Sequence, residues 1–179
     1  GCWQLQMWII DRNDIYFMKL QIGGKEAKEG WKILNIQKNE GVDFVGDMSN
    51  LSQFKDNSID EIYASHVFEH VKFHDTKKTL SGVHRVLVQG GKFYISVPDM
   101  DLLCKIFIDP KAPQPVKTHV MRIKFGGQID EYDLKYFGWN LQIMNECIVK
   151  TGFKKIERLK FFFLFMAPKK YAECGPPLI

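Results

Sequence analysis

Short apolar runs of the kind found in β-strands, each followed by turn-forming residues, constrain the fold of this chain more than any other feature. The runs predict strands over Lys19–Ile22, Lys32–Ile36, Asp43–Gly46, Asn57–Ser65, Lys92–Val97, Lys154–Lys160 and Phe161–Ala167. Helical spacing of apolar residues predicts helices over Thr76–Val88, Asp101–Ile108 and Trp139–Thr151. Strands that alternate with helices indicate an α/β protein with a doubly wound, mostly parallel sheet.

The expected architecture is therefore a Rossmann-like sheet of about seven strands with helices on both faces. One connection departs from this pattern. A parallel crossover needs about a dozen residues or more, but only residues 24–31 separate the first two predicted strands. The first crossover helix is therefore predicted to be short or missing.

Length and composition indicate one globular domain. The chain has 179 residues, of which 45% are hydrophobic and 26% are charged, enough to bury an ordinary core. Prolines and paired glycines between 110 and 138 predict an irregular insertion. The single domain is expected to span residues 18–179.

Charge and cysteine content favour a small-molecule partner in the cytoplasm. The net charge is +4, and the lysines are spread in pairs instead of forming one basic stripe, which argues against nucleic-acid binding. The longest apolar run has seven residues, whereas a membrane-spanning helix needs about 20. The cysteines form no C-x-x-C pair, which is typical of free thiols in a reducing cytosol; they are Cys2, Cys104, Cys147 and Cys174. No membrane partner is expected.

The stretch SHVFEHVKFH, residues 65–74, raises one hypothesis about a metal. His66, Glu69 and His70 form H-x-x-E-H, and the run as far as Thr76 resembles the zinc helix of the pitrilysin-type peptidases. Imidazoles at i and i+4 share one face of a helix, and Glu146 is the candidate for a third ligand. A zinc metallopeptidase is accordingly one alternative function, although a strand is predicted to lead directly into His66.

A second resemblance covers residues 19 to about 162. The segments KLQIGG, GWKILNI, VDFVGDM, DNSIDEIYASHVFEH and RVLVQGGKFYISVPD, followed by FGGQIDEYDL, occur in this order. The order resembles that of small class I S-adenosylmethionine-dependent methyltransferases of the Methyltransferase type 11 kind. Met18 is a natural start for that family. Residues 1–17 are therefore expected to be an N-terminal extension or an added remnant.

The resemblance implies that S-adenosylmethionine lies across the ends of the first four strands. Gly23 and Gly24 would let the backbone approach the methionine part of the cofactor. Asn35 stands where the family has an acid that binds the ribose hydroxyls. Asp47, with Met48, follows the third strand near the position of an acid that binds the adenine amino group.

The end of the fourth strand is expected to lie nearest the transferring methyl group. Ser65 is assigned there to cofactor binding, and His66 is the candidate base for an acceptor that must lose a proton. A histidine is suited to this task because the unperturbed pKa of its imidazole is about 6.5. The alternative for His66 is a structural residue that caps the junction between strand and helix. Glu69 and His70 are expected to orient the loop or to form an inward-facing polar pair.

Two departures from the family pattern affect residues that are expected to bind the cofactor. The glycine motif after the first strand is Gly23-Gly24-Lys25, and the ribose acid is replaced by Asn35. An amide lacks the charge that strengthens hydrogen bonds to hydroxyls. The predicted function is a methyltransferase acting on a small or sugar-like acceptor; the alternative is a weak or inactive relative that serves as a binding or scaffold module.

Overall fold

A computed structural model describes residues 18–158 apart from 25, 27, 130 and 131. Its described part contains a five-stranded, entirely parallel sheet with the order β3-β2-β1-β4-β5. The strands are β1 (Lys19–Ile22), β2 (Trp31–Asn35), β3 (Phe44–Val45), β4 (Ile59–Ser65) and β5 (Leu87–Ser96). The helices are α1 (Thr76–Val86), α2 (Met100–Ile108), α3 (Gln114–Phe125) and α4 (Leu141–Val149). The predicted parallel α/β fold is confirmed.

Alternation along the strands creates the apolar face that organises the core. Leu20 pairs with Ile62 and Ile22 pairs with Ala64 across the β1–β4 ladder, so these four side chains share one face of the sheet. All four belong to one buried cluster with apolar residues of α1 and α4, which include Leu80, Val83, Met144 and Ile148. Burial of this cluster supplies the main driving force for folding and fixes the carboxyl ends of the strands.

The connections between the first four strands are loops. No helix occurs among the described residues that join β1 to β2, β2 to β3, or β3 to β4. The prediction that the first crossover helix is short or missing is therefore confirmed. These helix-free loops emerge at the carboxyl ends of β1, β2 and β3, next to the cleft described below.

The C-terminal part differs from the prediction in two places. Residues 154–158 form no strand, although one was predicted over Lys154–Lys160. The remainder of that predicted strand, and all of Phe161–Ala167, lie outside the described residues. The described sheet accordingly has five of the seven predicted strands.

The predicted irregular insertion contains the longest helix of the described residues. The prediction for 110–138 is wrong over residues 114–125, which form α3. Pro113 is its N-cap and Pro115 lies within its first turn, where a proline removes no intrahelical hydrogen bond. Gly126, with φ of +85°, ends the helix. The prolines that suggested a loop therefore mark the beginning of a helix.

No helix among the residues that the structure describes has the length and hydrophobicity needed to cross a membrane.

Candidate active site

A cleft of about 520 Å³ opens at the carboxyl ends of β1 to β4. Its volume lies within the range of about 300–1,000 Å³ that is common for small-molecule sites. Ligands of open parallel sheets bind at this edge, beyond the ends of the strands. The residues that line it include Gly23, Asn35, Asp47, Met48, His66, His70, Lys72, Tyr132, Leu134 and Tyr136. Five of the seven residues predicted for the site thus surround one cavity.

The turn after β1 brings backbone to the wall of the cleft. Gly23 has φ of +77° and donates its N–H to the carbonyl of Leu34 at 2.8 Å. A Cβ on Gly23 would lie 2.7 Å from Cγ2 of Val67. A Cβ on Gly24 would collide with the side-chain amide of Gln21. Only glycine fits at Gly23, because both the backbone conformation and the space exclude a side chain.

Asn35 ends β2 at the cleft, but both atoms of its amide already contact backbone. Nδ2 donates to the carbonyl of Gly24 at 2.8 Å, and Oδ1 accepts from the N–H of Gln37 at 2.9 Å. Asn35 therefore ties the glycine turn to the end of β2. An oxygen with two lone pairs can accept a second hydrogen bond, so Oδ1 retains one acceptor position towards a ligand.

Asp47 and Met48 form the next part of the wall. Asp47 is exposed and its Oδ1 accepts from the N–H of Ser49 at 2.7 Å, which makes an Asx turn. Its other carboxylate oxygen is available to a ligand donor. Met48 is only 3% exposed and belongs to the core cluster. Met48 thus contributes an apolar surface, and Asp47 contributes the charge.

The end of β4 supplies His66 but does not bring Ser65 to the cleft. Ser65 pairs with Ser96 in the sheet and is half-buried, outside the lining residues. His66 has φ of +54° and donates its N–H to the carbonyl of Ser96 at 2.9 Å. A left-handed backbone is uncommon for a residue other than glycine, and such strain is frequent at functional sites. The imidazole is 58% exposed and reaches the cleft.

Behind His66 lies a buried carboxylate. Glu69 is 1% exposed, and its Oε1 lies 3.5 Å from Nδ1 of His66 and 3.3 Å from Nζ of Lys135. Neither carboxylate oxygen has a hydrogen bond of regular geometry among the described residues. Burial raises the pKa of Glu69, but the contact with His66, the residue's own backbone and the charge of Lys135 outweigh it. The pKa therefore lies below its ordinary value, and Glu69 is a carboxylate at neutral pH.

The segment 134–137 closes over this carboxylate and also lines the cleft. The carbonyl of Glu69 accepts from the N–H of Tyr136 at 2.9 Å. Nδ1 of His70 lies 2.9 Å from the carbonyl of Leu134. Because a carbonyl can only accept, Nδ1 of His70 carries a proton. The segment is therefore docked on residues 69 and 70 by backbone contacts as well as by the ion pair of Lys135.

The H-x-x-E-H stretch does not form the helix that a zinc face would need. His66 follows β4 with a left-handed backbone, and only residues 68–70 form a single 3-10 turn. The two imidazoles therefore do not share an α-helical face. The carboxylate of Glu146 accepts from the amide of Gln142 at 3.3 Å within α4. Among the described residues no group of three or more potential metal ligands converges.

Several lining residues were not predicted from the sequence. They are His70, Lys72, Tyr132 and Leu134, and Lys135 lies behind them as the partner of Glu69. Nζ of Lys72 lies 5.6 Å from the centre of the Tyr136 ring, a cation–π contact at the edge of the cleft. Tyr132, Leu134 and Lys135 lie in the segment 110–138, which is predicted to be irregular and carries no motif, whereas His70 belongs to the H-x-x-E-H stretch.

Comparison with known proteins finds a family that part of this chain resembles. Residues 21–95 match the family model described as a methyltransferase domain. This range includes the second half of β1, all of β2, β3, β4 and α1, and nearly all of β5, and therefore most of the cleft wall. Together with the parallel sheet and its strand order, the match supports the predicted resemblance of these residues to class I, Rossmann-like methyltransferases. The match to a methyltransferase domain is consistent with S-adenosylmethionine, the predicted cofactor.

One solved structure shares the fold. A chain of the complex between the Haloferax volcanii Trm112 methyltransferase activator and a putative methyltransferase is 15% identical, with a TM-score of 0.50, over 90% of this chain and 72% of that one. YcgJ from Bacillus subtilis is 20% identical over 75% of this chain and 61% of its own, with a TM-score of 0.48.

Haemonchus contortus phosphoethanolamine N-methyltransferase 2, solved with S-adenosyl-L-methionine, is 22% identical over 79% of this chain, with a TM-score of 0.48. The match spans 34% of that enzyme's length. No curated protein sequence matches the chain at a significant level.

Proposed function

We propose that this protein is an S-adenosylmethionine-dependent methyltransferase that binds its cofactor in the cleft at the ends of β1 to β4 and methylates a small-molecule acceptor. The observation that carries the proposal is the meeting of Gly23, Asn35 and Asp47 on one wall with His66 on the other. The residues fit the cofactor, because half-buried backbone at Gly23 lines the cleft and a Cβ there would collide with Val67.

Each wall has a task in this proposal. On one wall, the open acceptor positions of Asn35 and Asp47 suit the hydroxyl and amino donors of a nucleoside. S-adenosylmethionine, when bound, supplies a methyl group on a positively charged sulfur that is already an activated leaving group. The chain therefore contributes mainly proximity and orientation, together with removal of water from the cleft. On the other wall, His66 would accept a proton from an acceptor that carries one.

Calorimetric titration with adenosylhomocysteine tests cofactor binding without knowledge of the acceptor. We expect saturable binding by the full chain, and a loss of about 1–3 kcal/mol of binding free energy in Asp47→Ala because a ligand donor loses its partner. Asp109→Ala is the matched control, since Asp109 forms a similar turn with the N–H of Lys111 at 2.8 Å but lies outside the cleft.

A second function is favoured by the hydrogen bonds of Asn35. Both amide atoms already serve the backbone, and the residue lacks the charge that would strengthen contacts to hydroxyls. These features suit a relative that has kept the fold as a binding or scaffold module. Absence of adenosylhomocysteine binding at millimolar ligand, in protein with a cooperative unfolding transition, would favour this second function and contradict the first.

A further inference from the structure

We propose that Glu69 is a positioning residue for His66: its buried carboxylate holds the proton of His66 on Nδ1 and so presents Nε2 to the cleft as a proton acceptor. The proposal rests on the function proposed above and restricts the class of methyl acceptor. The acceptor would be a group that must lose a proton to be methylated, such as a hydroxyl or an ammonium. An acceptor without a proton to lose would have no use for this arrangement.

The first step of the inference concerns the charge of Glu69. A carboxylate that is 1% exposed needs compensation, because transfer of a charge out of water is costly. The small cavity on its inner side holds about 10 Å³, which is at the lower limit for one water molecule. Compensation therefore comes from the two side chains within 3.5 Å, His66 and Lys135.

The second step concerns the proton on His66. Glu69 in its charged form can only accept, so a neutral His66 satisfies it only when Nδ1 carries the proton. The two ring nitrogens point in different directions, and the proton on Nδ1 leaves the lone pair on Nε2. The separation of 3.5 Å is at the outer limit of a hydrogen bond. Such contacts are often long in the absence of ligand and tighten in the reacting complex.

The third step concerns the role of Lys135. It comes from the segment whose Leu134 and Tyr136 line the cleft, so its ion pair joins that wall to the carboxylate behind His66. Placement of Lys135 keeps Glu69 charged and therefore able to orient the imidazole. Histidine, carboxylate and lysine thus form one connected set, with the strained backbone of His66 at its cleft-facing end.

The tautomer of His66 can be measured directly in the full chain. Protein labelled with ¹⁵N at histidine is studied by long-range ¹H–¹⁵N correlation above the titration range of imidazoles, and His66→Gln identifies the signals. We expect neutral His66 to carry its proton on Nδ1. His70 is an internal reference, because the carbonyl of Leu134 holds its proton on Nδ1 as well. A proton on Nε2 of His66 in the wild-type protein overturns the proposal.

Two variants test whether Glu69 determines the tautomer of His66. The pair Glu69→Met and Lys135→Met removes both charges together, and replacement of a buried ion pair by apolar residues is often tolerated. In that double variant we expect His66 to lose its preference for Nδ1–H while His70 keeps it. Glu69→Gln preserves size and removes only the charge, and we expect a mixture of His66 tautomers. An unchanged tautomer in both variants overturns the positioning role.

The outcome separates this proposal from the proposed function. The tautomer needs no cofactor, whereas calorimetry with adenosylhomocysteine reports on the other wall of the cleft. A protein that binds adenosylhomocysteine but carries the proton of His66 on Nε2 would remain a methyltransferase without this device. A protein with the expected tautomer that binds no adenosylhomocysteine would retain the dyad but contradict the proposed function.

Discussion

The two walls of the cleft are stabilised in different ways. On the wall formed by β1 to β3, polar side chains contact backbone a few residues away or on the neighbouring strand, as Asp47 does with Ser49 and Asn35 with Gly24. On the wall after β4, the contacts reach across the sequence, as in the hydrogen bond that joins His70 to Leu134 over 64 residues. The first wall is a product of local turns, and the second is a product of tertiary folding. Substitutions should therefore act differently on the two walls.

The largest effect is expected on the second wall. Lys135→Met leaves Glu69 charged, buried and without its nearest cation, which should lower the free energy of unfolding by about 3–5 kcal/mol. Chemical denaturation measures this loss. Lys72→Met is the control, because Lys72 is exposed and the contact that its side chain makes within the described part of the chain is a cation–π contact, worth about 0.5–1 kcal/mol. Equal stability of the two variants would mean that the ion pair does not support this wall.

The next largest effect is expected at the glycine turn of the first wall. Gly23→Ala and Gly30→Ala both place a side chain at positive φ, which costs roughly 1–2 kcal/mol. Gly23→Ala also creates an overlap with Val67, for which we expect about 1–3 kcal/mol more, whereas nothing lies within 4 Å of a Cβ on Gly30. Denaturation curves give the difference, and calorimetry should show loss of adenosylhomocysteine binding only in Gly23→Ala. If both variants bind equally well, the cofactor does not approach this turn.

A smaller, pH-dependent effect should distinguish Glu69 on the second wall from Asp43, which precedes β3 outside the cleft. The pKa of Glu69 lies below 4.5, because burial, which raises it, is outweighed by His66, the backbone and Lys135. The pKa of Asp43 lies below 3.8 because of its hydrogen bonds with the side chain of Lys32 and the N–H of Ile33. A lowered pKa means that each group stabilises the fold above its unfolded-state pKa and loses this contribution as the pH falls through its folded-state pKa.

Acid titration of stability in three proteins tests this expectation. Below pH 4.5, Glu69→Gln should lose less stability than the wild type as the pH falls. Asp43→Asn should differ from the wild type mainly below pH 3.8. Parallel curves for the wild type and Glu69→Gln would show that the carboxylate of Glu69 has the same pKa in the folded and unfolded states.

The smallest effect is expected for Asn35→Asp. The carboxylate keeps the acceptor for the N–H of Gln37 but loses the donor to the carbonyl of Gly24, at a cost of about 0.5–1.5 kcal/mol. A new charge-assisted bond to a ribose hydroxyl would offset this loss, so the affinity for adenosylhomocysteine should change by no more than several-fold. Asn50→Asp is the control. Oδ1 of Asn50 accepts from the N–H of Ser52 at 3.2 Å, and Asn50 lies outside the cleft. A gain of tenfold or more would show that the ribose contact dominates the role of Asn35.

Local patterns explain what could be predicted from the sequence. Strand ends, the glycine turn and Asp47 depend on residues close together in the chain, and the structure brings most of them to one edge of the sheet. Lys135 could not be found in this way, because its importance arises from a contact with a carboxylate in a distant segment. The prediction of a loop at α3 fails for a different reason: prolines are typical of loops, but Pro113 and Pro115 lie at the N-cap and in the first turn, where they are compatible with a helix.

The left-handed backbone of His66 has a consequence for the way this position can vary. Glycine would adopt φ of +54° without strain, and asparagine or aspartate would tolerate it better than most residues. His66→Gly should therefore relieve backbone strain while it deletes the imidazole from the cleft. For stability alone glycine is therefore the better residue at this position, whereas an imidazole at the cleft requires the strained backbone. Stability of the fold and the proposed proton-accepting role thus favour different residues at position 66.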